Sequence, residues 1–211
     1  MKKTLLMIAA MGSLAAANAN ATVIRLDGSS TNLQEIVSGL PGGAGINVIT
    51  DQQALDESWH LSGLVGVGNI VVELASFANQ NRFGIYDVYN PSIRMQLFDG
   101  SASAGAQAEF TPVGFSSEFF GFYLDTPAGL WFSQQVLNAD GYDHMVAFDL
   151  GPQFVFGWED LSSSHTDKDF NDFVVLVSGV KGVSVPEPAT LGLLGLGIAG
   201  MGVFRRRKQS A

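Results

Sequence analysis

The chain has no cysteine among its 211 residues. That excludes disulfide staples, thiolate nucleophiles and the sulfur ligands of structural zinc. Basic residues are nearly as scarce away from the two ends. Residues 22–186 hold five, Arg25, Arg82, Arg94, Lys168 and Lys181, against nineteen Asp and Glu, a net charge of −14 compared with −9 for the whole chain. So acidic a body attracts cations and offers no basic patch on which nucleic acid would bind. Histidine is limited to His60, His144 and His165. There is no Gly-x-Ser-x-Gly elbow, His-Glu-x-x-His helix or phosphate loop, so the expectation is a protein that is not an enzyme. A carboxylate pair such as Glu159 and Asp169 is the remaining catalytic arrangement, that of a polysaccharide hydrolase, because the fold alone sets their separation.

Long hydrophobic runs are confined to the ends. Lys2 and Lys3 precede the largely apolar residues 5–17 and the small-residue stretch Ala19-Asn20-Ala21. This pattern predicts a secretory signal peptide over residues 1–21. Near the other end, residues 189–204 are apolar or glycine except for Thr190, and Arg205, Arg206, Arg207 and Lys208 follow at once. At about 1.5 Å per residue the run makes roughly 24 Å of helix, short for a bilayer core of about 30 Å but workable where the membrane thins. A single transmembrane helix over 189–204, with its basic tail 205–208 held in the cytoplasm, puts the body of the chain outside the inner membrane.

Between these segments, residues 30–40 carry a capping residue ahead of Leu33, Ile36, Val37 and Leu40, a spacing that predicts a short helix ending at Pro41-Gly42-Gly43. A second short helix is expected from Asp51, with Leu55 and Trp59 at i, i+4. From Asn69 the chain reads as short strands, among them NIVVELASF, RFGIYDV, IRMQLF, FFGFYLDT, GLWFSQQVL, DHMVAFDL, QFVFGWED and DFVVLVSG. Glycine-rich turns separate them. The expected fold is all-β, an antiparallel sandwich or jelly roll with one or two short N-terminal helices.

The densest chemistry lies in HTDKDFNDFVVLV, residues 165–177, preceded by Glu159 and Asp160 across a serine-rich loop. Crowding Asp167, Asp169, Asn171 and Asp172 against an apolar strand requires compensation for their charge. A cation held by Glu159, Asp160, Asp167, Asp169, Asn171 and Asp172 would supply it, and an all-oxygen set in a flexible loop suits calcium best. Asp172 at position six and Ser178 at position twelve exclude an EF-hand. If extended, the segment turns Asp167, Asp169 and Asn171 to one face and Phe170 to the other as an anchor. The alternative is turn chemistry, with the Asn and Asp side chains bonding backbone amides. Exposed aromatics such as Tyr86, Tyr89, Trp131 and Tyr142 are candidates for stacking on sugars, although Trp131 within LWFS reads better as core.

Val185, Pro186, Glu187 and Pro188, the apolar span and the terminal arginines together resemble the PEP-CTERM sorting signal over residues 185–211. Two prolines hold the motif extended, the form a protease cleft accepts. The resemblance implies an exosortase-type transpeptidase as partner, a Gram-negative host, and delivery to the cell surface or an extracellular, polysaccharide-rich biofilm matrix. Residues 70–179 resemble an exported domain of unknown function that accompanies such tails, most distinctively through Glu159-Asp160 and Asp169-Phe170-Asn171-Asp172. The expected plan is then residues 22–69 as the N-terminal part of the domain, 70–179 as its β body, and 180–184 as a linker. The expected role is a calcium-stabilised surface or matrix domain. The alternatives are a carbohydrate-binding adhesin and a polysaccharide-active hydrolase.

Overall fold

The computed structural model describes residues 22, 24–26, 31–75 and 77–183. The expected signal peptide, sorting motif, transmembrane span and basic tail lie outside these residues. Helix α1 spans Leu33–Ser38, where the Asn32 side chain caps the first turn by accepting from the Glu35 amide at 3.1 Å and Gly39 closes the last. The second helix does not form. Asp51 accepts from the Asn47 amide at 2.9 Å and the Thr50 hydroxyl at 2.8 Å, closing the turn before it rather than capping a helix after it. Leu55 is left exposed, and Trp59 enters strand β1 (Trp59–Leu61).

The other strands are β2 (Gly66–Glu73), β3 (Arg82–Asp87), β4 (Asn90–Phe98), β5 (Gln107–Phe110), β6 (Phe120–Thr126), β7 (Gly129–Phe132), β8 (Met145–Asp149), β9 (Gln153–Trp158), β10 (Phe173–Ser178) and β11 (Val180–Gly182). They form two sheets whose pairings are all antiparallel. One has the order β11-β1-β6-β3-β4, with β7 also on β6, and the other β5-β2-β10-β9-β8. Two segments differ from expectation. GLWFSQQVL stays extended only to Phe132, because the Asn138 carboxamide accepts from the Phe132 amide at 2.7 Å and donates to its carbonyl at 3.1 Å, and a 3-10 turn follows at Gln135–Leu137. Part of the expected linker 180–184 is β11, which pairs with β1 after Gly179 (φ 73°) reverses the chain.

The sheets share an aromatic core. Phe83 and Phe122 from the first sheet meet Phe156 and Phe173 from the second, with ring centroids 4.9 Å apart for Phe122–Phe156 and 5.3 Å for Phe83–Phe173. Period-two alternation then gives the second sheet another buried face. Phe173, Val175 and Val177 of β10 point into the aromatic core, whereas Val174 joins Val146, Phe148 and Val155 beneath α1. A strand covered on both faces reads as an unbroken apolar run, as FVVLV does. Where β9 runs out into β10, the acidic loop therefore starts and ends inside protein.

Gly157 marks how tightly that loop lies on the sheet. A Cβ there would stand 2.5 Å from the Phe170 carbonyl oxygen and 3.1 Å from the Leu33 side chain. Gly157→Ala is expected to cost about 1–3 kcal/mol through this overpacking. Urea unfolding checks it, and a change below about 0.5 kcal/mol would show that the loop gives way freely.

Candidate metal centre

Strand β9 delivers Glu159 and Asp160, both buried, at its C-terminal end, and the chain returns at Phe173, opposite Trp158. Within the connection, Lys168 (φ 69°) and Phe170 (φ 55°) adopt the left-handed conformation, which side chains other than glycine's reach at a cost of about 1–2 kcal/mol. The segment is thus coiled rather than extended. Phe170 nonetheless anchors it as expected, fully buried under α1 with Leu33, Val37 and Val174. Its amide donates to Glu159 Oε1 at 2.8 Å, and the Thr166 hydroxyl donates to Glu159 Oε2.

These turns bring one carboxylate oxygen each from Glu159, Asp167 and Asp169 within 4.8 Å of one another. Glu159 and Asp169 are buried, and Asp167 is exposed at the rim. Asp169 accepts from the Asn171 amide at 3.2 Å and from its carboxamide at 2.6 Å, while the same carboxamide donates to the Thr31 carbonyl at 3.3 Å. Asn171 therefore orients Asp169 and ties the loop to the N-terminus of α1. Burial pushes the Glu159 carboxyl up to about 8 against the Phe170 amide, with Asp172, Asp167 and Asp169 adding repulsion. The ion pairs among the described residues, Arg82–Asp125 and His144–Asp140, reach none of these three.

Of the six residues expected to hold one ion, Glu159, Asp167 and Asp169 are the three whose carboxylates converge in this way. Asp160 and Asp172 reach the end of β2, while the Asp172 charge also acts on Glu159. The Asp160 amide donates to Asp172 Oδ2 at 3.0 Å, and the Leu74 and Ala75 amides donate to the Asp172 carbonyl. Asp160 Oδ2 accepts from the Phe77 amide at 3.3 Å and lies 3.5 Å from the Asn81 carboxamide nitrogen. Burial raises the pKa of Asp172, with Asp160 and Asp169 contributing, and raises Glu73 to about 7 against a hydrogen bond from Asn81, with Asp160 adding repulsion. Asp160 Oδ1 and Asn81 Oδ1 are buried without a hydrogen-bond partner. Sequence reasoning missed Glu73 and Asn81, since each lies about eighty residues from the acidic loop; a carboxylate directly after the apolar IVV of β2 was the available signal.

A polar frame supports the ends of the loop. The Thr126 hydroxyl and Trp131 Nε1 both donate to the Asp160 carbonyl at 3.0 Å. Trp131 stacks on the buried His144 ring with centroids 3.9 Å apart, and the His144 carbonyl accepts from the Glu159 amide at 3.0 Å. Burial lowers the pKa of His144 despite the Asp140 carboxylate 3.2 Å from Nε2. Asp140 also accepts from the Ser163 amide at 2.8 Å, which holds the serine-rich bend in place. His165 is exposed and hydrogen-bonds to Ser162 and Ser164 within that bend. Of the aromatics considered for sugar stacking, Tyr86 and Trp131 are core, Tyr142 is half-buried under Lys168, and only Tyr89 is exposed.

Residues 105–180 match the family model of a domain of unknown function, DUF4114, and residues 184–208 match the PEP-CTERM protein-sorting motif. The chain thus carries, next to a β-rich domain, a sorting motif that implies export and processing by an exosortase-type enzyme. No curated protein matches. Among solved structures, a Chromobacterium violaceum lectin in complex with alpha-methyl-fucoside aligns at 14% identity over 61% of this chain and 98% of the lectin, with a TM-score of 0.35. No helix of the described residues is long and apolar enough to cross a membrane.

Proposed function

We propose that this chain is an exported cell-surface or matrix protein whose β-sandwich is locked by calcium bound to Glu159, Asp167 and Asp169, in a biofilm or exopolysaccharide setting. The carrying observation is the convergence of three carboxylate oxygens within 4.8 Å, two of them on buried residues. Three negative charges so close are stable together only with protons or a cation between them. Oxygen ligands alone, without sulfur or imidazole in the group, favour a hard cation, and a loop of irregular geometry favours calcium over octahedral magnesium. The ion would fasten the loop to both ends of the β9–β10 hairpin, a structural role.

Thermal unfolding of the full-length chain in detergent, at pH 8 with and without calcium, tests this reading. A site with a dissociation constant of about 0.1 mM contributes about 2.7 kcal/mol at about 10 mM calcium, a midpoint rise of about 5–11 °C. Asp167→Asn combined with Asp169→Asn is expected to remove most of that rise. An equal rise in wild type and variant, or none in wild type, rejects the site.

The exposed Asp167 leaves the outer side of such an ion open to oxygen ligands from solvent, including glycan hydroxyls. This observation supports a second reading, an adhesin that binds extracellular polysaccharide through the ion. Retention on immobilised polysaccharide that disappears with a chelator supports it, and chelator-insensitive retention counts against it.

A further inference from the structure

We propose that the α-ammonium group freed at Thr22 when residues 1–21 are removed docks beside the carboxylates of Asp143 and Asp56 as their counter-ion, so that export completes the fold. The inference rests on the expected cut after Ala21. Thr22 is already seated at this spot in the full-length chain. Its amide donates to Gln52 Oε1 at 2.9 Å, its carbonyl accepts from Gln52 Nε2 at 2.8 Å, and its hydroxyl donates to Asp143 Oδ2 at 2.5 Å. Two residues on, Ile24 is buried in the core under α1, and the amide of the exposed Arg25 donates to the Lys168 carbonyl at 2.7 Å. Thr22 is therefore held both by its own contacts and by the burial of Ile24.

The carboxylates at this spot crowd one another. Asp56 is 8% exposed, and the charges acting on it are those of Asp143 and Glu57, both negative. Burial raises the Asp143 carboxyl to about 6 against hydrogen bonds from Thr22 and the Met145 amide, with Glu57 adding repulsion. The ion pairs among the described residues, Arg82–Asp125 and His144–Asp140, reach none of the three. Buried carboxylates are costly unless a positive charge meets them. Hydrolysis of the Ala21–Thr22 bond supplies that charge: water gives its oxygen to the departing Ala21 carboxylate and its two protons to the Thr22 nitrogen, which changes from a neutral amide to an ammonium with three donors. One donor keeps the bond to Gln52 Oε1. Two carbons separate the nitrogen of a threonine from its hydroxyl oxygen, so with the Thr22 hydroxyl on Asp143 the ammonium stands within about 6 Å of that carboxylate, close enough to hold it ionised.

N-terminal sequencing of the exported protein, purified in detergent, should give a chain that starts at Thr22. Asp143→Asn, introduced into this form and into the uncleaved precursor, is then compared with wild type by thermal unfolding at pH 7. In the exported form the substitution removes one partner of an ion pair and should lower the midpoint by about 3–12 °C. In the precursor it removes a buried charge that nothing offsets, and should leave the midpoint unchanged or raise it. The pH dependence of α-amino labelling by dinitrofluorobenzene in the wild-type exported protein covers the case in which the variant fails to fold. The neighbouring carboxylates should raise the α-amino pKa above its usual range of about 7.7–8.0. An exported chain that starts at another residue overturns the inference together with the expected cut. A start at Thr22 with equal effects of Asp143→Asn in both forms, or with an α-amino pKa within or below the usual range, overturns the inference and leaves export standing.

Discussion

Replacing Phe170 with alanine should lower the unfolding free energy by about 3–5 kcal/mol, a fall in midpoint of about 6–20 °C, and should weaken calcium binding in the same step. The ring is fully buried beneath α1, packed with Leu33, Val37, Val174 and Val155. Its removal leaves a cavity between helix and sheet, which the strand face beneath cannot close without disturbing the aromatic core behind it. The Phe170 amide also donates to Glu159 Oε1, so a shift of this residue releases one of the two donors that orient that carboxylate. Phe170→Leu keeps most of the volume and should cost less than about 1.5 kcal/mol with ion binding retained. Urea unfolding and calcium titration of both variants measure the two effects. A loss below about 1 kcal/mol in Phe170→Ala would falsify the role of the ring as the anchor of the loop.

The second large effect is in pH. Burial raises the folded-state pKa of Glu159 from 4.5 to about 8 and of Glu73 from 4.5 to about 7, and shifts Asp172 in the same direction. A folded state that keeps a proton the unfolded chain releases is most favoured below the unfolded pKa, and the advantage is lost as pH rises through the folded pKa. Without calcium, stability should therefore fall between about pH 5 and 8, on the order of a few kcal/mol for the fully buried Glu159. Calcium displaces those protons, so its affinity should strengthen by about tenfold per pH unit for each proton released, or about 100-fold between pH 6 and 8 for one proton. Unfolding midpoints at pH 5, 6, 7 and 8, each with and without calcium, separate the two trends. Equal calcium increments at pH 5 and 8, or a calcium-free protein that gains stability across that range, would show that these carboxyls do not hold protons in the folded state.

Much of this architecture is legible in the chain because its local rules agree with its global ones. The alternation in VVLV, the turn-flanked RFGIYD and the capped LQEIVS each form the element their pattern predicts, since burial rewards the same faces that propensity favours. Local rules failed at Asp51, whose side chain can close the turn behind it as readily as cap a helix ahead, and at Gln135, where the side chain of Asn138 ends the strand. They also missed β11, because a three-residue strand has too short a pattern to read and is held by its pairing with β1.

By itself, the sequence determined the acidity of the body, the β-rich plan, the anchoring role of Phe170 and the sorting motif. All of these depend on residue type and local order. Only the tertiary structure decided which carboxylates of the acidic cluster converge. Adjacent residues leaving a strand send their side chains in different directions, so Glu159 joins Asp167 and Asp169 while the Asp160 carboxylate meets the Phe77 amide and Asn81. Glu73 and Asn81 became neighbours of Asp160 only because β2 pairs with β10, a contact between segments about a hundred residues apart that leaves no mark in either segment alone.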